Sequence, residues 1–207
     1  ARTKANRAVD MRAELSGQVV LLPVKRGSQV AAGETICGLE PQDRYAANAS
    51  AEAALARAEL EYTGALSLKQ KGVQSELAIA SSRANLEAAK AHQKKTEYRV
   101  KKLRMKAPFA GMIEDRPLEI GDYVQVGQIC ATILELDPML IIAQVSAADI
   151  TKLRLGQRAQ FIYSGGIIDG ALITYLASAA DIITQTYGVE AQVDNSNGVL
   201  RSGIEGT

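Results

Sequence analysis

Two short segments of this chain are the same segment written twice. Gly17 and Gly111, Gly27 and Gly121, Val30 and Val124, and Gly33 and Gly127 are each 94 residues apart. Each copy runs into an apolar stretch, Thr35-Ile36-Cys37 in the first and Gln128-Ile129-Cys130 in the second. A unit this short cannot bury its own apolar face, so the copies are expected to be two halves of one β structure. The glycines punctuate it, supplying turns or positive φ where a Cβ would clash.

Between the copies the texture changes. Gln42 to Lys106 is rich in Ala, Glu, Lys and Arg and has no proline, and Lys71-Gly72-Val73-Gln74 interrupts it near the middle. Alanine and straight charged side chains cost least to hold helical, so the stretch predicts two helices turning at Gly72. Ala51, Leu55, Ala58, Tyr62 and Ala65 in the first arm, and Ile79, Ser82, Leu86, Ala89, Gln93, Thr96, Val100 and Leu103 in the second, fall at steps of three and four. That is a narrow coiled-coil seam, not the wide apolar face of a helix lying on a globule. Two arms of about 30 residues reach roughly 45 Å at 1.5 Å per residue. Pro41 is expected to end the first β half and open the helix.

Gly-x-Val followed by G-[SD]-x-V-x-x-G and an apolar strand resembles half of a biotinyl/lipoyl domain. Split lipoyl halves around a helical hairpin resemble the periplasmic adaptor (membrane fusion protein) family of bacterial tripartite efflux pumps. Lys106-Ala107-Pro108-Phe109-Ala110-Gly111 is similar to the family's A-P-F-x-G, and Leu155-Gly156-Gln157 to its L-x-x-G-Q. Thr184-Gln185-Thr186-Tyr187-Gly188-Val189-Glu190, Asn195 and Leu200-Arg201-Ser202-Gly203 are similar to the T-R-T-x-x-V-E, N and L-R-x-G pattern of adaptors serving RND-type pumps. At the hairpin tip Leu68 and Ser75 match two members of the R-x-x-x-L-x-x-x-x-x-x-S docking pattern, while Gly64 stands at its arginine. The structural alternative makes Leu68 the last seam residue and Ser75 the N-cap of the second arm.

The resemblance implies a mixed α and β, elongated fold: a split lipoyl-like sandwich, an inserted antiparallel helical hairpin and a small β-barrel. The expected division is a lead-in strand over 1–14, lipoyl halves over 15–41 and 107–137, the hairpin over 42–106 with its tip near 70–75, and the barrel over 138–207. It further implies a periplasmic, non-catalytic adaptor between an inner-membrane RND transporter and an outer-membrane channel, self-associating as a hexameric ring and exporting drugs or other amphiphiles. Leu68, Lys71, Gly72, Val73 and Ser75 would meet the channel. Gly17, Gly27, Gly33, Gly111, Gly121 and Gly127 would shape the lipoyl fold. The chain opens at Ala1 with no Met, and the family likeness places an export signal and membrane anchor before it, and a membrane-proximal domain after Thr207.

Other functions find little support in the residues. Lys plus Arg is 24 against 23 Asp plus Glu, so there is no electrostatic footprint for nucleic acid. A single His92 and no ordered Ser/His/Asp set leave nothing for acid–base or nucleophilic work. Glu52, Glu59, Glu61, Glu87 and Glu97 fall on coiled-coil faces, and no cofactor is expected. Cys37, Cys130 and His92 lack metal-ligand spacing; the cysteines are expected to be buried thiols, with a disulfide between the halves as the alternative. Met105-Lys106 resembles a biotin-acceptor pair, but it lies where the helix re-enters the second half and not at a hairpin apex. A biotinyl or lipoyl carrier domain, an adaptor of an ABC-type exporter and a coiled-coil scaffold are the competing readings.

At the start of the chain Val9, Met11, Ala13 and Leu15 alternate with polar residues and predict a half-buried strand. Past Asp137-Pro138, Leu140–Val145 reads as a strand. Ser146 to Asp149 resembles a capping box opening a helix through Leu153, closed by Gly156 at C′. Further strands are predicted over 157–163, 167–176, 189–193 and from Leu200 onward, with Ser164-Gly165-Gly166 and Asn195-Ser196-Asn197-Gly198 as hairpin turns. Residues 1–12 are expected to add a strand to this barrel.

Overall fold

A computed structural model describes residues 1–207. The elements run β1 (Arg2–Arg12), β2 (Gly17–Leu21), β3 (Gln29–Val30), β4 (Thr35–Leu39), α1 (Arg44–Gln70), α2 (Glu76–Lys101), β5 (Arg104–Lys106), β6 (Gly111–Asp115), β7 (Tyr123–Val124), β8 (Ile129–Val145), α3 (Ala147–Ile150), β9 (Arg158–Tyr163), β10 (Gly166–Leu176) and β11 (Tyr187–Val193). The fold is mixed α and β: a two-layered sandwich, a helical hairpin rising from it, and a barrel-like sheet beyond.

The written-twice segment folds as two interlocked halves. β2 and β6 begin 94 residues apart, as do β3 and β7, and β4 and β8. Each half lends its short strand to the other: Gly17 pairs with Val124, and Val30 with Gly111. The turns repeat this exchange. Gly27 donates its N–H to the Ile113 carbonyl (2.7 Å) and Gly121 to that of Val19 (2.9 Å), while Gly33 donates to Ala107 and Gly127 to Ala13, both at 2.8 Å. These four glycines have φ between 79° and 101°, a region that costs any residue with a Cβ. Gly17 and Gly111 do not; both lie within strands, contrary to a turn role. At Gly111 the cause is space, because a Cβ would overlap the Leu134 carbonyl oxygen. The symmetry reaches further back than the sequence motif showed, since buried Met11 and Ala13 correspond to buried Met105 and Ala107.

The interlock makes one core of 18 buried residues, centred on Val19, Ile36, Ile113, Val124 and Ile133. Met105 belongs to it, and exposed Lys106 lies in a paired strand opposite Thr35. Leu103, expected as the last seam residue of the second arm, is also buried here, because α2 ends at Lys101 and the chain has already turned into the sheet.

The hairpin arms, 27 and 26 residues long, reach about 40 Å. α1 starts at Arg44, so Pro41 lies outside its first turn; Gln42 at φ 49° makes the bend, and the Asp43 side chain makes no cap. Ala51, Ala58 and Ala65, one heptad apart, are buried, whereas Leu55 and Tyr62 are half-buried. Alanine at every second contact lets the helices approach closely, at the expense of buried apolar volume.

β8 continues unbroken through Asp137-Pro138 from the sandwich into the barrel, instead of restarting at Leu140. Pairing with β6 stops at Leu134 and pairing with β11 starts at Met139, so the missing N–H of Pro138 falls in the gap between partners. β1 pairs with β8 on both sides of the junction, Ala5 with Met139 and Arg7 with Glu135, with an irregularity where Asn6 faces the stretch from Leu136 to Pro138. Thr3, Ala5 and Met11 are buried, but Val9 is exposed although it pairs with buried Ile133. Ile141, Phe161, Ala171, Ile173, Val189 and Ala191 form the barrel core.

Several barrel details depart from the sequence reading. α3 is a single turn ending at Ile150; Ser146 does cap it, accepting from the Asp149 N–H at 3.2 Å. Gly156, at φ 80°, sends its N–H to Ile173 and closes no helix. From Leu200 on there is no strand. Instead the tail bridges Ala1 and Ile162 through Gly206 and Thr207, closing the sheet between β1 and β9. Asn195 to Gly198 does turn, with the Gly198 N–H donating to the Asn195 carbonyl at 2.8 Å, but no second strand makes it a hairpin; the Asn195 side chain is a buried clamp, bonding both the N–H and the carbonyl of Leu200 (2.8 and 3.2 Å) and the carbonyl of Leu136 (2.9 Å).

Candidate functional site

The free end of the hairpin is held by local chemistry at both helix ends. Lys71 is the C-cap of α1, and Gly72 follows at φ 73°. Val73 donates its N–H to Leu68 (3.0 Å) and Gly72 to Lys69 (2.9 Å), the paired bonds of a Schellman motif. Ser75 then starts α2, its Oγ accepting from Ala78 N–H at 3.2 Å. Across the turn the Lys69 ammonium meets the Glu76 carboxylate at 2.6 Å and holds that carboxyl below its ordinary range. Glu76 also complements the N-terminal end of the helix dipole.

This turn brings Leu68, Lys71, Gly72, Val73 and Ser75, all exposed, together within eight residues. Leu68 is 44% exposed and Val73 70%. Sequence reasoning missed Leu77, which is 80% exposed directly beside the cap; it stands two positions before the seam residue Ile79, and that phase was the available signal. Gly64 also faces open space, with nothing within 4 Å of a Cβ placed there. The six lipoyl glycines lie apart from the tip, in the sandwich.

The base of the hairpin is fastened to the sandwich by polar contacts. The Arg44 guanidinium donates to the Ser16 carbonyl at 2.8 Å. Lys102 and the Tyr98 hydroxyl each donate to one oxygen of Glu14, at 2.6 and 2.7 Å. These bonds, Lys102 first, lower the pKa of Glu14. One turn up, buried Thr96 lies 3.0 Å from Asn48 Oδ1 in the seam between the arms. A polar pair at one seam level fixes the register of the arms; Asn48 was not among the expected seam residues.

A second fastening joins sandwich to barrel. Arg7 grips Glu135 with two bonds of 2.6 Å while its guanidinium stands 4.1 Å over the Phe109 ring. No group of three or more His, Cys, Asp or Glu side chains gathers as a metal site, and no helix is long and apolar enough to cross a membrane.

Residues 7–136 match the family model described as RND MFP, barrel-sandwich hybrid domain. The chain is 29% identical over 160 residues to an antibiotic efflux pump periplasmic linker protein, ArpA, of Pseudomonas putida, covering 74% of this chain and 42% of that protein. It is 26% identical over 212 residues to nodulation protein NolF of Rhizobium meliloti, covering 94% and 57%. The chain thus spans about half the length of these curated relatives. Among solved structures, a MacA–MexA chimera carrying the Pseudomonas aeruginosa MexA α-hairpin superposes with a TM-score of 0.82 at 25% identity, covering 98% of this chain and 75% of that one.

Proposed function

The chain belongs to the RND membrane fusion protein family, whose barrel-sandwich hybrid domain it carries over residues 7–136, and from that premise we propose that it is a periplasmic adaptor. In this reading it links an inner-membrane RND transporter to an outer-membrane channel, is itself non-catalytic, and is tied to the inner membrane by parts outside these residues. The hairpin of 42–106 provides reach, the sandwich halves of 15–41 and 107–137 hold its base, and the barrel of 138–207 faces the transporter.

One observation carries the proposal: exposed Leu68, Val73 and Leu77 crown a hydrogen-bonded turn at the far end of two helices about 40 Å long. A free helical hairpin end of this kind suits coiled-coil-like docking to the helices of a channel. The caps reduce the ordering cost of that contact.

Self-association is supported by a broken symmetry. Val20 of β2 and Ile120, Tyr123 and Val126 in and beside its partner strand β7 are 46–68% exposed. Their repeat equivalents in and beside the β6–β3 pair are Glu114, Arg26, Gln29 and Ala32. Two unlike faces on one module suit a head-to-tail ring, in which each copy presents a different face to each neighbour.

The test is in-cell crosslinking from a photoreactive residue at Val73 of the full-length protein. Recovery of an outer-membrane channel is the expected result, and Leu68→Asp should abolish it. Capture of adaptor copies alone would instead make the hairpin an oligomerisation element.

A further inference from the structure

The end of the barrel farthest from the hairpin base carries two side chains that the fold does not use. Ile182 is 96% exposed and Ile183 92%, the two most exposed large apolar residues of the chain. Single apolar side chains scattered on a surface are ordinary, but an adjacent pair held almost wholly in water has a free-energy cost that a polar pair in the same turn would avoid.

They stand in the loop 177–186, which joins β10 to β11. The Ala177 N–H bonds the Gly188 carbonyl at 2.8 Å and closes the stem. Inside the loop Asp181 is the organising residue. Its Oδ1 accepts from the Ile183 and Thr184 N–H groups, at 3.0 and 2.9 Å, and from the Thr184 hydroxyl at 3.1 Å. Its own N–H donates to the Thr186 carbonyl and its carbonyl accepts from the Gln185 N–H, both at 2.9 Å. The Thr186 hydroxyl then ties the loop to Gln144 of β8 at 3.0 Å. The backbone on either side of the two isoleucines is therefore fixed before any partner arrives.

The place of the loop narrows the choice of partner. Tyr187, the first residue of β11, pairs with Val145, the last of β8. Ile129, the first of β8, pairs with Arg12, two residues before the Glu14 that fastens the hairpin. The hairpin thus rises from one end of β8 and the isoleucines close the other. A second copy meeting the pair head-on is a poor occupant. Two isoleucine side chains cover on the order of 200 Å², while stable association buries about 1,200 Å² or more, so the pair is one anchor within a larger contact. A lipid surface fits poorly too. Residues 177–186 contain no Lys or Arg to hold anionic headgroups, and a fluid surface gains nothing from a loop wired into one shape. A fixed apolar knob suits a fixed apolar cleft, since little ordering is left to do on binding.

We propose that Ile182 and Ile183 form an apolar knob that seats in a preformed apolar cleft on the periplasmic part of the inner-membrane transporter. This rests on the adaptor reading and adds to it the residues that hold the transporter end of the chain. The loop supplies position. The isoleucines supply the contact and its selectivity, because a partner without the cleft leaves them in water.

The experiment is in-cell crosslinking of the full-length protein from an apolar diazirine residue at Ile182, run beside the same probe at Val73. The expected capture from Ile182 is an inner-membrane RND transporter, with the crosslinked peptide mapped by mass spectrometry to its periplasmic part. Ile183→Ser should lower that capture by about tenfold, and Ile183→Leu should retain it. Neither should change the Val73 capture or the urea midpoint of the 207-residue chain, because the side chain adds nothing to the core. Capture of phospholipid, of adaptor copies or of nothing from Ile182, while Val73 captures the channel, would overturn the knob and leave the adaptor reading standing. Undiminished capture in Ile183→Ser would overturn it as well, making the loop a bystander beside the transporter. Capture of the transporter from Ile182 with no channel at Val73 would uphold the knob and remove the channel half of the adaptor reading. Failure at both ends would remove both.

Discussion

In the sandwich Val19, Ile36, Ile113, Val124 and Ile133 lose all contact with water, whereas in the hairpin the enclosed positions are Ala51, Ala58, Ala65, Leu86 and Thr96. Both regions are made of paired elements, yet one buries large branched side chains and the other mostly methyl groups. Burial stabilises by about 25 cal/mol per Å² of apolar surface, so the hairpin gains little for its length. It depends on the sandwich to hold its two ends together, through Arg44, Glu14, Tyr98 and Lys102. The difference teaches how a thin probe is built: stability is concentrated at the base, and the far end is left free to bind.

That contrast can be broken most severely from below. Ile113→Ala opens a cavity in a fully buried site and should cost about 3–4 kcal/mol. If the hairpin depends on the sandwich, helical circular dichroism and the sandwich signal should be lost in one urea transition at lower midpoint; an unchanged hairpin transition would separate the two regions. Ala58→Leu attacks the seam instead. Overpacking a close helix contact should cost about 1–3 kcal/mol, read as faster amide exchange along α1 and α2 with the sandwich amides still protected.

A smaller effect is expected at the tip. Gly72→Ala puts a Cβ on a residue at φ 73° and should cost about 1 kcal/mol. Exchange should quicken at Gly72 and Val73 while the base is unaffected, and tip crosslinking should weaken without loss of fold.

The smallest is a pH effect at the base. Glu14 has a lowered folded pKa, from Lys102 first and Tyr98 second, so its contribution is present above the unfolded value of about 4.3 and is lost as pH falls through the lower folded one. The group is exposed, and the effect is modest. Amide protection at the C-terminal end of α2 should decline below that range, and Glu14→Gln should flatten the decline.

The two halves, the hairpin and its seam were legible because each rests on a local rule. The 94-residue spacing marks the duplication, and steps of three and four mark the coiled coil. At the candidate site, Ser75 as a cap and Gly72 as the turn follow from neighbouring residues alone. Asn48 escaped because the seam of the first arm was started at Ala51, one step of three later, and Leu77 because an apolar residue beside a cap lies outside the seam pattern. Leu103 was assigned to the seam because a period cannot tell where a helix stops; the pull of the sandwich core decided that.

The sequence by itself thus determined the elements, their order and the class of molecule, since propensity, periodicity and glycine placement act over a few residues. Only the tertiary structure decided that β8 runs through Asp137-Pro138, that the tail seals the barrel in place of a strand, that Asn195 joins Leu136 to Leu200, and that Cys37 and Cys130 are both enclosed in the sandwich core. Each of these depends on which distant backbone groups and side chains are left without partners after the sheets have paired, and no local pattern contains that information.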